Sequence, residues 1–195
     1  MMNKEQILEV AAQIISQKGF HATSMQDIAD AVNLQKASLY HHVSSKQEIL
    51  LALLDRALDM LTERLQVVVE KKLPADEKLH LAVNTFLDVL TEHHDLVSVL
   101  LLEHRSLDSE YHTRHIVRRD RFEKLWRNLI QEGMDSGIFT RSDPALTARA
   151  LLGVLNWTVT WYRPSGPLAL SSISDHLTEL FLNGLLVRSA GENDR

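Results

Sequence analysis

Gln35, Lys36, Ser38, Tyr40 and His41 stand within seven residues of each other and carry hydrogen-bonding and cationic groups. Such groups meet the base edges and phosphates of DNA: amide and ammonium groups at the start of a helix reach both, while hydroxyl and imidazole groups add donors and acceptors. Leu39 and Val43 interrupt the run at a spacing that turns them inward. The stretch from about Gln35 to His41 therefore reads as a short helix of roughly 10 Å at 1.5 Å per residue, polar on its outer face. Lys46 falls in the first turn of the helix that follows, where unpaired backbone N–H groups also favour an anion. The plainer alternative is a small helical core with a solvated polar face.

A recognition surface needs a rigid backing, and the flanking residues supply its parts. Thr23 and Ser24 are N-cap residues with Gln26 and Asp27 three places on, the spacing of a capping box. Met25, Ile28, Ala29 and Val32 give that helix an apolar side. Asn33 lies in the turn Val32-Asn33-Leu34 and tolerates a left-handed backbone. Ser44 and Ser45 cap the next helix, with Gln47 and Glu48 at the reciprocal positions. Upstream, residues 4–18 place Ile7, Val10, Ala11, Ile14 and Ile15 on one face, Gly19 ends the helix, and Phe20 packs back on the core. A short polar-faced helix behind a capped one is the geometry of a helix-turn-helix.

Ile28-Ala29, Leu39-Tyr40 and the run LYHHVSSKQEIL from Leu39 to Leu50 resemble the N-terminal signature of TetR-family transcriptional regulators. The resemblance is close over about residues 4–54. Asn33 stands where the family usually has Gly, and Val43 where many members have Phe. The resemblance implies an all-α fold, with a three-helix DNA-binding domain over residues 1–46 and a helical ligand-binding and dimerisation domain over 47–195. It implies DNA contact by Thr23, Ser24, Gln35, Lys36, Ala37, Ser38, Tyr40, His41 and Lys46, with Tyr40 and His41 on phosphate. The partner is then double-stranded DNA with a near-palindromic operator.

Composition agrees with a helical protein. The hydrophobic fraction is 45%, and 7 Gly and 4 Pro in 195 residues leave little room for loops. No alternating β-branched run is present. Zero Cys excludes disulfides, Cys-ligated zinc and thiol catalysis. No signal peptide is visible and the longest apolar runs, such as Val97–Leu102, are too short to span a bilayer, so a soluble, cytoplasmic protein with no membrane partner is expected. Charge gives no support to nucleic-acid binding: the chain is −5 at pH 7, and within residues 1–46 Lys4, Lys18, Lys36 and Lys46 are balanced by Glu5, Glu9, Asp27 and Asp30.

From Ser45 a long helix is expected to run to Leu73, where Pro74 stops it. It joins the reading head to the rest of the chain without a linker, so motion of one must move the other. Further helices are expected over about Asp76–Glu92, Asp95–His104, Asp108–Ser136 (ending at Gly133 and Gly137) and Pro144–Tyr162 behind Asp143. A last helix opens at Ser172, with Asp175 three residues on, after the loop Arg163–Ser171. It carries Ile173, Leu177, Leu180, Phe181 and Gly184 on one side, and the tail from Gly191 is polar. The segment Ala148–Val159 is apolar around much of its circumference and must be buried on two sides. A homodimer through the last two helices satisfies this, as the family resemblance also implies; an internal core hairpin is the alternative.

Six of the ten His lie between residues 80 and 115. His112 and His115, three apart, are spaced to share a metal, but no carboxylate completes a recognised zinc set, and no metal or cofactor is expected. No nucleophile elbow, phosphate loop or Ser/His/Asp set is present, and no catalytic residue is assigned. Arg114, Arg118, Arg119, Arg121, Lys124 and Arg127 form a basic series that reads first as a solvated face. The segment Leu151–Leu185, with Asn156-Trp157, Trp161-Tyr162 and Gly166-Pro167-Leu168, resembles the TetR branch that regulates fatty-acid and related lipid degradation in response to acyl-coenzyme A thioesters. This implies a small-molecule effector in an elongated apolar pocket, for which Leu100, Tyr111, Phe122, Trp126 and Asn156 are candidate lining residues and Arg118 or Arg119 the partner of an anionic head. The function expected is a dimeric regulator, a repressor released by such an effector. The alternatives are a small-molecule-binding helical enzyme or a metal-responsive regulator using the His-rich middle region.

Overall fold

The structure, a computed structural model, describes residues 3–163 and 165–186. Among these the chain forms nine α-helices: α1 Lys4–Lys18, α2 Met25–Ala31, α3 Lys36–Leu39, α4 Lys46–Val69, α5 Ala75–Glu92, α6 His94–Glu103, α7 Ser109–Asp135, α8 Pro144–Trp161 and α9 Leu170–Leu185, with a 3-10 turn at His104–Ser106 between α6 and α7. The only strand-like pairing among them is a bridge between Phe139 and Leu186. The polar tail from Gly191 and Pro164 of the 163–171 loop lie outside the described residues.

The expected elements are present with shifted ends. Helix α4 stops at Val69, four residues before the expected end at Leu73. Pro74 opens the next helix instead of closing this one: its carbonyl accepts the Lys78 N–H at 3.0 Å. Gly133 lies inside α7, where a Cβ would stand 2.1 Å from the Phe139 ring, so the glycine makes room for that buried side chain. Gly137, with φ +75°, follows the helix end. Helix α9 begins at Leu170, two residues before Ser172, with Ala169 at the cap position and no side-chain cap.

Contacts gather the chain into two compact units. One comprises the chain up to Leu61 with Val89–Arg121, and the other Thr62–Asp88 with the chain from Phe122 onward. The expected boundary after residue 46 is not where the contacts divide. Helix α1 packs along α6, and the Ser16 hydroxyl donates to the Asp95 carboxylate at 2.5 Å, which draws α6 and the first half of α7 into one unit with α1–α3. The core of this unit holds Ile7, Ile15, Phe20, Ile28, Leu39, Val43 and Leu50. The other unit is centred on Phe86, Phe122 and Trp126, with Leu151, Leu155 and Val159 buried on α8.

Candidate nucleic-acid interface

Local sequence sets the α2–α3 geometry. The Ser24 side chain accepts the Asp27 N–H at 3.1 Å, and the Asp27 carboxylate accepts the Ser24 N–H at 2.8 Å, a closed capping box. The Ser24 hydroxyl, which donates to the Asp27 carboxylate at 2.5 Å, and then the Ser24 N–H, with help from Lys18 at 3.2 Å, hold that carboxyl down at about 2. Asn33 then adopts φ +53°, the one left-handed non-glycine position among the described residues. That reversal delivers the chain to Gln35, which stands at the N-cap of α3. The helix is a single turn, shorter than the expected 35–41, and continues as turns through His42. Leu39 and Val43 are buried and fix its depth.

With Leu39 inward, Gln35, Lys36, Ala37, Tyr40 and His41 are exposed and Ser38 is half-buried, so these six expected contact residues share the outer surface of one turn. Ser24 is exposed beside them, its hydroxyl engaged with Asp27. Two expected contacts are corrected. Thr23 is 1% exposed and its hydroxyl donates to the Gly19 carbonyl at 2.9 Å, so its side chain closes the α1–α2 corner instead of facing a ligand. Lys46 turns inward: its Nζ donates to the carbonyls of Phe20 (2.9 Å) and Thr23 (2.8 Å) and sits 4.3 Å from the centre of the Phe20 ring. The corner carbonyls, of which that of Phe20 also accepts the Thr23 N–H at 3.2 Å, draw in the ammonium expected on phosphate.

The neutral head is not electrostatically uniform. Lys4 pairs with Glu48, Lys18 with Asp27, and Glu5 and Glu9 lie 3.4 Å from Arg56 of α4, a residue not singled out from sequence. Glu48 is held at about 2, chiefly by the Ser44 hydroxyl and then by Lys4. Among the described residues Lys36 has no carboxylate within ion-pair distance, which leaves an open positive charge on α3; the open negative charge is that of Asp30 on α2, bonded only to the Gln26 amide.

Gln47 was expected to serve the local cap. It reaches instead to the α6–α7 junction, where its Nε2 donates to the Ser106 carbonyl at 2.9 Å and its Oε1 accepts the Asp108 N–H at 3.1 Å. The spacing of a capping box hid a contact 59 residues away.

The seven expected effector residues divide between the units. Leu100, Tyr111, Arg118 and Arg119 belong to the first; Phe122, Trp126 and Asn156 belong to the second. Arg118 is not open to an anion, since Nε lies 3.2 Å from Asp55 and Nη1 bonds Asp59. Burial nonetheless raises the Asp55 carboxyl above its ordinary value, against the opposing pull of Arg118. Arg119 is exposed and pairs with Asp120 at 2.9 Å. Phe122 stacks on Phe86 and meets Trp126 edge-on, with centroids 6.5 and 6.3 Å apart. Trp126 is fully buried with its indole N–H unpartnered, and Asn156 is half-buried. His112 is exposed, whereas His115 is buried and stacked on His104 at 6.3 Å. Burial, then His104, pushes His115 down to about 4. Among the described residues no three His, Asp or Glu side chains are grouped to hold a metal, and no helix is long and apolar enough to cross a membrane.

One side of α8 is bare in the single chain: Leu146, Trp157 and Trp161 are exposed, Trp157 by 67%.

Residues 7–53 match the model for bacterial regulatory proteins of the tetR family, and residues 72–185 match the tetracyclin repressor-like C-terminal domain. The chain is 30% identical over 182 residues to the HTH-type transcriptional repressor KstR2 of Mycobacterium tuberculosis, covering 92% of this chain and 91% of that one. Among solved structures it resembles the TetR family transcriptional regulator PfmR of Thermus thermophilus, at 35% identity and a TM-score of 0.85 over 91% of this chain and 97% of that one. It equally resembles AibR, solved with isovaleryl coenzyme A and operator DNA, at 28% identity and a TM-score of 0.85 over 91% and 96%.

Proposed function

This chain belongs to the TetR family of transcriptional regulators, and from that premise we propose that it is a homodimeric repressor released from a near-palindromic operator by an acyl-coenzyme A thioester. It is a DNA-binding regulator and not an enzyme. The observation that carries the reading is the outward face of α3, where Lys36 is left open while the other three lysines of residues 3–46 are engaged. Gln35 and Lys36 meet base edges and adjoining phosphates; Tyr40 and His41 meet phosphates. One single-turn helix offers too few contacts for selectivity, and two copies set about one DNA turn apart double them. The bare side of α8, with Trp157 and Trp161, is the surface through which two copies associate.

The effector class is supported by the likeness to AibR, whose structure holds isovaleryl coenzyme A, and by the aromatic cluster of Phe86, Phe122 and Trp126. The apolar acyl chain is placed in the second unit beside Phe122, Trp126 and Asn156. Arg118, already shared by two aspartates, is left out of this assignment. Release requires the effector to prefer the arrangement that does not bind DNA; a preference of about a hundredfold, or ~2.7 kcal/mol, suffices. The test is a titration of the protein bound to DNA from upstream of its gene with acyl-coenzyme A thioesters of several chain lengths, with free coenzyme A as control. The expected result is loss of the bound fraction at one chain-length range, weakened in Trp126→Ala. An unchanged bound fraction across the whole series overturns the effector class and leaves DNA binding intact.

A further inference from the structure

We propose that Gln47 is the coupling residue of the reading head, and that through its side-chain amide the α6–α7 junction and the DNA-contacting helices stabilise one another. This rests on the reading of α3 as the DNA-contacting element. Leu107, between the 3-10 turn and α7, is extended, with φ −69° and ψ 135°, and buried. In an extended residue the preceding carbonyl and the following N–H point to the same side, as they do toward a neighbouring strand. A Gln amide carries one acceptor oxygen and a donor nitrogen, so a single side chain matches that pair. Gln47 does so, at 2.9 Å to the Ser106 carbonyl and 3.1 Å from the Asp108 nitrogen. The Asp108 carbonyl in turn accepts the N–H groups of Tyr111 and His112, so the clip fixes where α7 starts.

The neighbours of Gln47 explain why this position can transmit. Lys46 holds the carbonyls of Phe20 and Thr23 at the α1–α2 corner, and Glu48 holds Lys4 at the start of α1 and Ser44 before α4. Three consecutive side chains in the first turn of α4 thus grip three separate segments. Of the three, Gln47 grips the one that lies outside residues 1–48. A second contact reinforces it: Ser106 Oγ donates to Glu103 at 3.1 Å at the end of α6, the helix that packs along α1 and bonds Ser16 through Asp95. The junction therefore meets the head at the root of α4 and, through α6, along α1, and a shift at either end changes the fit at the other.

Coupling is reciprocal, so DNA on the head must stabilise the junction. The experiment follows amide hydrogen exchange across residues 104–110 in the full chain, free and saturated with a duplex the protein has itself selected from a randomised pool. In the unmodified chain, exchange there is expected to slow by at least about tenfold on duplex binding, inside the usual range for coupled sites. In Gln47→Leu, which keeps the bulk and loses both bonds, the duplex binds within about threefold while exchange changes by less than about twofold. Gln47→Glu, which keeps the acceptor for Asp108 but sets a carboxylate against the Ser106 carbonyl, falls between. If Gln47→Leu melts too early to measure, Gln47→Met takes its place. Equal slowing in the unmodified chain and the variant overturns the proposal, as does no slowing in either. Loss of duplex binding in both variants at an unchanged melting temperature also overturns it, because Gln47 would then build the head instead of linking it. Failure to select any duplex overturns the DNA-contacting reading of α3 and the coupling with it. No effector enters the measurement, so the acyl-thioester assignment stands or falls separately.

Discussion

Residues 3–46 and the α8–α9 segment treat their polar and apolar groups in opposite ways. In the head, Asn3 and Ser24 close capping boxes, Lys46 satisfies two corner carbonyls, and the large exposed surface of α3 is polar. In α8 and α9 the exposed surface includes Leu146, Val154, Trp157, Trp161 and Leu180, while the buried hydroxyls of Ser174 and Thr178 have no partner among the described residues. Helix α8 has its Asp143 cap, but α9 starts without one. A segment whose interior is satisfied and whose exterior is hydrated is finished as a monomer. One with two bare tryptophans needs a cover, since a buried aromatic removes roughly 150–250 Å² from water at about 25 cal/mol per Å².

The largest expected effect strikes the unfinished region. Trp157→Arg places a charge where the proposed partner must pack. Sedimentation should give twice 22.2 kDa for the unmodified chain and 22.2 kDa for the variant. Operator affinity should drop by about a hundredfold or more, because two half-sites no longer bind as one unit. A variant that stays dimeric with full affinity would move the interface elsewhere and remove the contrast.

The unit that contains the head is not uniformly satisfied, and acid exposes the exception. His115 is buried, its Nδ1 lacks a partner, and its folded pKa of about 4 lies below the ordinary 6.5. A depressed folded pKa means that the unfolded chain takes up the proton first. The stability held above pH 6.5 is therefore lost as pH falls towards 4, by on the order of 1–3 kcal/mol in total. Urea melts across this range should show the decline, and His115→Phe should flatten it. An equally steep decline in the variant would assign the acid loss to other groups.

A smaller effect separates the two lysines that sequence placed together. Lys46→Met should cost about 1–2 kcal/mol of stability through two lost charge-assisted bonds, and weaken all duplexes alike without changing the salt slope. Lys36→Ala should leave the melt within about 0.5 kcal/mol and lower the salt slope by about one per half-site. Mobility shifts at several salt concentrations distinguish them. A reduced salt slope in Lys46→Met would return that ammonium to the phosphates.

These cases mark how far sequence could be read. Ser24 with Asp27, Asn33, and Gly19 act on groups within a few residues, so their types and spacing were sufficient. Lys46 and Gln47 occupy positions where a local role was open, yet both bond groups 23 to 61 residues distant. Asp55 and Asp59 stand one turn apart on α4, which makes them a natural pair, but nothing in their spacing names Arg118 as the partner they share. On the bare face of α8, hydrophobicity reports the need for cover without saying which chain provides it.

The smallest effect tests the joint that aims the recognition surface. Asn33 adopts φ +53° between α2 and α3, and the backbone there is held by the Asn33 N–H on Asp30 and the Leu34 N–H on Ala29, at 3.1 and 2.9 Å. An L-residue pays a steric penalty of roughly 1–2 kcal/mol in this region, which Asn offsets in part and Gly avoids. Asn33→Ala should therefore destabilise by about 1 kcal/mol, whereas Asn33→Gly should remain within about 0.5 kcal/mol, its release from strain balanced by the extra freedom of the unfolded chain. Urea melts with an unchanged m-value would show that the effect lies in the folded turn. Duplex binding by Asn33→Gly should match the unmodified chain, because the same backbone path still presents Gln35 and Lys36. If Asn33→Ala costs nothing, the turn is not left-handed, and the head loses the local geometry that lets it stand complete while α8–α9 does not.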